Sequence, residues 1–132
     1  MISSKINLFI IINIIITLFK QSEKARITED IEISKNNIQL LTQALSFTDP
    51  EKEDITRNDL IQEFYTKCKS LHQNIMTYLS QVQDEQWLDT LLTVNQEFVN
   101  SFKMYEDMVE RGQVKIAKHE SQVIQLLLYI YC

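Results

Sequence analysis

Residues 85–110, EQWLDTLLTVNQEFVNSFKMYEDMVE, decide the fold of this chain. Apolar residues recur there every three or four positions, a period that places them on one stripe of an α-helix and predicts a core face. The stripe consists of Trp87, Leu91, Val94, Phe98, Phe102, Tyr105 and Val109. A second apolar line, rotated away from the first, consists of Leu88, Leu92 and Val99, with Gln96, Lys103 and Glu106 at its border. One stripe is enough for folding, so the second line predicts a binding surface.

The composition predicts one small all-helical domain. The 132 residues include one Gly and one Pro, so turns are few, and an apolar content of 45% is ordinary for a globular domain. The formal net charge is −5, with 13 basic residues dispersed among 18 acidic ones. Nucleic acid is therefore not an expected partner, because its binding relies on phosphate neutralisation. Cys68 and Cys132 make no disulfide framework, and Cys68 falls on an apolar helical face.

A first bundle helix is predicted from Glu29 to about Phe47. Thr28 is placed to cap its N-terminus, where the acids at positions 29 and 30 suit the positive end of the helix dipole. Its apolar line is Ile31, Ile38, Leu41 and Leu45. The helix is expected to end at residues 48–50, Thr-Asp-Pro, because Pro disfavours helical geometry in the residue before it. Residues 50–54 then form an acidic loop.

Two further helices complete the predicted bundle. Thr56 and Asp59 have the spacing of a capping box at the start of the second helix. Its stripe is Ile61, Phe64, Cys68, Leu71, Ile75, Tyr78 and Val82, with Met76 and Leu79 as the expected edge of the core. Asp84 is the predicted N-cap of the third helix, and Gly112 is the predicted left-handed C-terminal cap. Short connections make neighbouring helices antiparallel, so residues 27–112 are expected to form an up-down-up bundle.

The two ends of the chain are treated as separate segments, 1–26 and 113–132. Residues 6–19, INLFIIINIIITLF, reach about 21 Å as a helix, short of a bilayer core of about 30 Å. Three interpretations stay open: a signal or anchor segment, a helix packed on the domain, or translated AT-rich non-coding sequence. Residues 114–131 are expected to be helical, and either extend the third helix or fold beside it. In the second case Leu88, Leu92 and Val99 would pack against Ile124, Leu127 and Ile130.

The sequence shows no arrangement of residues that is typical of catalysis. His72 and His119 lie on separate helices without a Cys or His at metal-ligand spacing, and we expect both to be structural surface residues. The acids of residues 51–54 share one loop and are expected to be solvated. A single Gly allows no Gly-rich phosphate loop. Neither an enzyme nor a cofactor site is therefore predicted. Trp87, the single tryptophan, is interpreted as a core residue.

The stretch 58–108 resembles the GAT domain of the GGA, target-of-Myb and fungal Las-seventeen-binding sorting adaptors. The likeness is carried by residues 60, 61 and 68 in the second helix and by LLTVNQEFVNSFKMYE, residues 91–106, in the third. In the first helix, NNIQLL at residues 36–41 is similar to the Asn-Val-x-x-Leu stretch of the family. The resemblance extends over residues 31–112.

The resemblance implies a non-catalytic trafficking module that binds ubiquitin through two sites. One site, on the third helix, uses two leucines one turn apart that match Leu88 and Leu92. The acidic residue that follows in the family is Gln96 here, so a charge-assisted hydrogen bond is lost. The other site lies across the first two helices, where the family positions hold Ser46 and Lys69 instead of a leucine and an acid. That second patch is then expected either to be shifted onto Leu40, Ala44 and Phe47, which lie off the core stripe of the first helix, or to be lost.

The resemblance also implies partners and a location. Ubiquitin or ubiquitinated cargo, a coiled-coil accessory protein and an Arf-family GTPase are the expected partners, although residues 20–35 do not match the helical hook that binds the GTPase. Peripheral association with endosomal and Golgi membranes, including phosphatidylinositol binding, is expected. The VHS domain that precedes such bundles is absent, which suggests a fragment or a reduced gene product. The competing interpretations are a secreted or membrane-tethered helical bundle and a purely structural interaction domain.

Overall fold

The computed structural model describes residues 2–131, and side chains from Lys5 to Tyr131. Three α-helices are present: α1 (Ile2–Ser46), α2 (Asp59–Gln81) and α3 (Glu85–Tyr131), with a 3-10 turn at Ile55–Arg57 between the first two. The described residues include no strand. The predicted all-α three-helix bundle is therefore confirmed.

The core side of α1 follows the predicted apolar line and extends it towards the N-terminus. Ile31, Ile38, Leu41 and Leu45 are buried, as predicted, and so is Ile27. The predicted cap at Thr28 is wrong, because α1 continues through this position. The Thr28 hydroxyl instead donates a hydrogen bond to the Lys24 carbonyl oxygen, 2.9 Å away, as Ser and Thr do inside helices.

The N-terminal part of α1 does not pack on the bundle. Apolar side chains along residues 6–19 are all exposed, so the interpretation of this segment as a helix packed on the domain is wrong. No turn separates it from the rest of α1. The first buried residue after it is Ile27.

The connection between α1 and α2 ends one helix and starts the next with local hydrogen bonds. The helix ends at Ser46, one residue before the predicted end, and the Thr48 hydroxyl donates to the Ala44 carbonyl oxygen. The predicted capping box of residues 56 and 59 is wrong. Asn58 is the N-cap of α2, because its side chain accepts a hydrogen bond from the Ile61 amide at 3.0 Å.

The stripes of α2 and α3 form the rest of the core. Ile61, Cys68, Ile75 and Tyr78 of α2 are buried, and the remaining predicted α2 positions pack at the core edge. Leu91, Val94, Phe98 and Tyr105 of α3 are buried, whereas Trp87, Phe102 and Val109 are partly buried against them. Phe98 is the largest fully buried side chain. The predicted N-cap Asp84 has the expected contact, since its carboxylate accepts a hydrogen bond from the Gln86 amide at 3.0 Å.

Gly112 does not end α3. No described glycine has a positive φ, and the helix continues through Gly112 to Tyr131. A Cβ atom at this position would lie 3.0 Å from the Pro50 carbonyl oxygen, so the missing side chain lets the 47–58 connection approach α3 closely. The predicted left-handed cap is therefore wrong, and residues 114–131 extend the third helix.

We expect Ser34→Ala to raise the free energy of unfolding by about 1 kcal/mol, because the buried Ser34 hydroxyl has no hydrogen-bond partner among the described side chains. Ser101→Ala is the matched control, since that buried hydroxyl donates to the Phe98 carbonyl oxygen at 2.7 Å. Urea denaturation measures both variants. A Ser34→Ala variant no more stable than Ser101→Ala would contradict the prediction.

A second prediction concerns alkaline stability. Burial raises the pKa of the Cys68 thiol from its ordinary value of 9.0 to about 11. The folded state therefore holds this proton more tightly than the unfolded state, so the contribution to stability is full below pH 9 and is lost as the pH rises to about 11. We expect the free energy of unfolding to fall by up to about 3 kcal/mol across this interval. Cys68→Ala is the control, and urea denaturation of this variant should show a shallower decline. An equal decline would contradict the assignment.

Candidate functional site

The second apolar line of α3, hereafter the Leu88 patch, consists of Leu88, Leu92 and Val99. The structure leaves it uncovered: Leu92 is 49% exposed, Val99 is 44% exposed and Leu88 is half-buried. These residues lie about a quarter of a turn from the buried Leu91 and Phe98, which already supply the core face of the helix. The predicted surplus surface is therefore present on the folded bundle.

The alternative interpretation, in which the C-terminal segment folds back over the Leu88 patch, is wrong. Ile124, Leu127 and Ile130 were the residues expected to pack on the Leu88 patch if the tail folded back. They lie instead on the straight continuation of α3 and are themselves exposed. Within the part of the chain that the structure describes, no other helix covers Leu92 or Val99.

Contacts between α2 and α3 define the register of the two antiparallel helices. The His72 ring nitrogen Nε2 lies 2.7 Å from the Asn95 side-chain oxygen, and the Gln62 amide donates to the Tyr105 hydroxyl at 2.8 Å. The Tyr65 ring stacks on that of Tyr105, with centroids 3.8 Å apart. Ten residues towards the C-terminus of α2 therefore correspond to ten residues towards the N-terminus of α3.

This register places Met76 of α2 level with Leu92, and Lys69 level with Val99. Met76 is 46% exposed, so the expectation that it is an edge residue of the core is wrong, whereas Leu79 is partly buried against the core as expected. The Lys69 ammonium lies 4.4 Å from the centroid of the Tyr65 ring, on the side of α2 that faces α3. The sequence analysis did not include Met76 in the candidate site, although its position off the predicted α2 stripe indicated exposure.

Polar groups form the border of the Leu88 patch. Gln96 is exposed, and its amide donates a hydrogen bond to the Asn100 side-chain oxygen one turn later, at 2.9 Å. Glu85 and Asp89, three residues before Leu88 and Leu92 respectively, are also exposed. Two carboxylates therefore lie beside the leucines although the position of Gln96 is neutral.

The residues of the predicted second patch lie on two helices, and Leu40, Ala44 and Phe47 share one face near the end of α1. Phe47 is 89% exposed and Leu40 is 36% exposed, but Ala44 packs partly against the core. Ser46 is exposed, and its hydroxyl donates to the Gln43 carbonyl oxygen of its own helix. Lys69 lies on the α3 side of α2, whereas the Tyr78 hydroxyl marks the α1 side by its hydrogen bond to Asp30. Lys69 therefore belongs beside the Leu88 patch and not to a site between α1 and α2.

The polar contact between α1 and α2 is structural. Tyr78 donates to the Asp30 carboxylate, and the Arg26 guanidinium lies 5.8 Å from the centroid of the Tyr78 ring. Burial, with a smaller effect of the hydrogen bond to Asp30, raises the pKa of Tyr78 above its ordinary value of 10.0. The hydroxyl therefore stays protonated and keeps donating at neutral pH.

The described residues contain no group of three His, Cys, Asp or Glu side chains placed to hold a metal ion. His72 was expected to be a surface residue. It is instead half-buried between α2 and α3, and its ring packs against that of Phe98 with centroids 5.2 Å apart. In the acidic loop, a hydrogen bond from the Thr56 hydroxyl lowers the pKa of Asp54 below its ordinary value of 3.8.

Comparison with known proteins identifies the fold. The GAT domain family model matches residues 35–111, more than half of the chain. The human protein TOM1-like protein 2 is 29% identical over 82 residues, which cover 62% of this chain and 16% of the relative. Protein lsb5 of Schizosaccharomyces pombe is 31% identical over 67 residues, 51% of this chain and 22% of the relative.

A third relative is similar over a longer part of the chain. The Gallus gallus Target of Myb1 membrane trafficking protein is 25% identical over 104 residues, 77% of this chain and 20% of the relative. The chain thus spans about a fifth of the length of these relatives. With the bundle geometry and the match over residues 35–111, the chain belongs to the GAT domain family, a non-enzymatic helical module of trafficking adaptors.

Proposed function

We propose that this chain is the ubiquitin-binding module of a vesicle-trafficking adaptor and that ubiquitin docks on the Leu88 patch together with Met76. The observation that carries the proposal is the half-exposed state of Leu92 and Val99 on α3, with the half-exposed Met76 of α2 level with Leu92. An exposed apolar strip on a helix with a complete core face is typical of a docking surface for a complementary apolar patch.

The size and border of the surface determine the kind of binding. A strip of four side chains buries less than about 1,200 Å² in total, which is the range of weak and transient complexes. Apolar contacts at its centre supply the free energy of binding, and Gln96, Glu85 and Asp89 form a polar rim. We therefore expect weak, reversible binding of single ubiquitin and stronger binding of cargo that carries several ubiquitins.

The same surface suits an amphipathic helix, so a coiled-coil accessory protein is the second candidate partner for this site. An Arf-family GTPase has less support, because residues 20–35 are an uninterrupted part of α1 and form no separate hook. The location proposed for the module is the cytosolic face of endosomal or Golgi membranes, where ubiquitinated cargo and phosphatidylinositol lipids are accessible.

The binding site is tested by substitution of the two leucines. We expect Leu88→Ala/Leu92→Ala to weaken ubiquitin binding at least about 10-fold, because each truncation removes apolar contact at the centre of the interface. The measurement is an NMR titration of the ¹⁵N-labelled full chain in a non-ionic detergent, in which amides around Leu88, Leu92 and Met76 should shift. Phe47→Ala is the matched control, since Phe47 is 89% exposed on α1 and lies in the other predicted patch.

Unchanged binding by the double-leucine variant, or a loss caused by Phe47→Ala instead, would contradict the site assignment. Folding of the variants is checked with adjacent positions of α3. Leu91→Ala, at a fully buried site, should destabilise the bundle by about 2–5 kcal/mol, whereas Leu92→Ala should cost less than about 1 kcal/mol. The loss of binding at Leu92 is then separate from any loss of structure.

Gln96→Glu tests the role of the rim. We expect this substitution to strengthen ubiquitin binding by about 5-fold, because a carboxylate accepts a stronger hydrogen bond than a neutral amide does. Gln113→Glu makes the same change of charge at an exposed α3 position away from the patch and should leave the affinity unchanged. Equal effects of the two variants would show that net charge, and not the rim position, controls binding.

A further inference from the structure

Residues 6–19 of α1 carry apolar side chains on every face of the helix. Eleven large apolar residues in this stretch are exposed, and no described residue packs against them. A helix that lies in a membrane interface has a polar stripe along one side, whereas an apolar surface all around a helix requires an apolar environment all around it. A single partner helix covers one face and leaves the others in water.

We propose that residues 5–20 of α1 insert across a lipid bilayer and hold the bundle on its cytosolic side. By length and composition, α1 contains a stretch that is able to cross a membrane, and the stretch is entirely unburied in the fold. The inference concerns the membrane alone and does not depend on which partner the Leu88 patch binds.

Of the three polar residues inside the segment, Asn7 lies near its end, and Asn13 and Thr17 hydrogen-bond to the helix itself. The Asn13 amide donates a hydrogen bond to the Phe9 carbonyl oxygen at 3.0 Å, and the Thr17 hydroxyl donates to the Asn13 carbonyl oxygen at 2.8 Å. Both donors are thus satisfied by the backbone of the same helix, which lowers the cost of removing them from water.

Lysines mark the two ends of the segment. The distance from Lys5 to Lys20 is about 22 Å along the helix, and both side chains are exposed. Long basic side chains reach outward from the apolar region and place their ammonium groups at the interface. The segment is about 5 Å shorter than a thin bilayer such as that of the endoplasmic reticulum, at about 27 Å, and outward-reaching lysines and local thinning of the bilayer accommodate a mismatch of this size.

The distribution of basic residues gives the orientation. Lys20, Lys24, Arg26 and Lys35 follow the segment within about 15 residues, whereas Lys5 alone lies at its other end. The side with more Lys and Arg stays in the cytosol, and acidic residues have little influence on this preference. The bundle is therefore cytosolic, and the chain is inserted in the membrane instead of bound peripherally to it.

Translation of the full chain with microsomes tests the insertion. We expect it to remain in the pellet after alkaline carbonate extraction. Ile11→Lys/Ile15→Lys should move it to the supernatant, because each lysine lowers the insertion equilibrium by about 100-fold. Leu127→Lys/Ile130→Lys is the matched control, since these exposed residues of α3 lie outside the segment, and this variant should stay in the pellet.

N-linked glycosylation tests the orientation, because the natural sequence has no Asn-x-Ser/Thr acceptor. His119→Asn creates one on the exposed end of α3 and should remain unmodified, whereas an acceptor in a peptide added before Met1 should be glycosylated. Extraction of the wild-type chain by carbonate would overturn the proposal, as would glycosylation of the His119→Asn variant or removal of the segment by signal peptidase. Neither carbonate extraction nor glycosylation measures ubiquitin binding, so these outcomes are independent of the proposed function.

Discussion

The antiparallel register of α2 and α3 is the constraint on which both the core and the candidate site depend. It is defined by polar and aromatic pairs at the seam: His72 with Asn95, and Gln62 and Tyr65 with Tyr105. Apolar stripes alone permit a helix to slide by a turn, since Leu and Ile offer similar contacts at each step. Hydrogen bonds and ring stacking are directional and are lost on sliding, so they select one alignment. That alignment puts Met76 level with Leu92.

The exposure of the Leu88 patch depends in turn on the straight path of α3. The chain reverses between α2 and α3 at residues 82–84, but no such break interrupts α3, which continues through the single glycine of the chain. At Gly112 the Pro50 carbonyl oxygen approaches so closely that a side chain would crowd it, while the backbone stays helical. The connection between α1 and α2 thereby packs on α3 without ending it. The tail points away from the bundle, and Leu92 and Val99 are left open to a partner.

The sequence predicted those features that follow from periodicity within one helix. The buried residues Ile31, Ile75 and Phe98 all lie on predicted stripes, and the Leu88 patch was predicted by the same reasoning. Features that depend on contacts between segments were missed. Thr28 is of a residue type that often caps helices. However, the helix before it continues through this position, and the Thr28 hydroxyl donates a hydrogen bond to the Lys24 carbonyl oxygen. Likewise, the sequence does not specify which flank of α2 faces α3, and the structure places the Lys69 ammonium over the Tyr65 ring on that flank.

If α1 crosses the membrane and ubiquitin binds the Leu88 patch, the uninterrupted course of α1 determines how far this patch lies from the membrane. Phe19 and Ile27 are separated by two helical turns, about 12 Å, so the bundle begins directly at the membrane surface. The register places Leu79 level with Leu88, and Tyr78 contacts Asp30 near the start of the buried part of α1. The Leu88 patch therefore lies at the membrane-proximal end of the bundle. A flexible linker would spread the module over a large volume, whereas a continuous helix keeps the patch at the height of ubiquitin attached close to the bilayer. Weak binding then becomes effective, because confinement raises the local concentration of both partners.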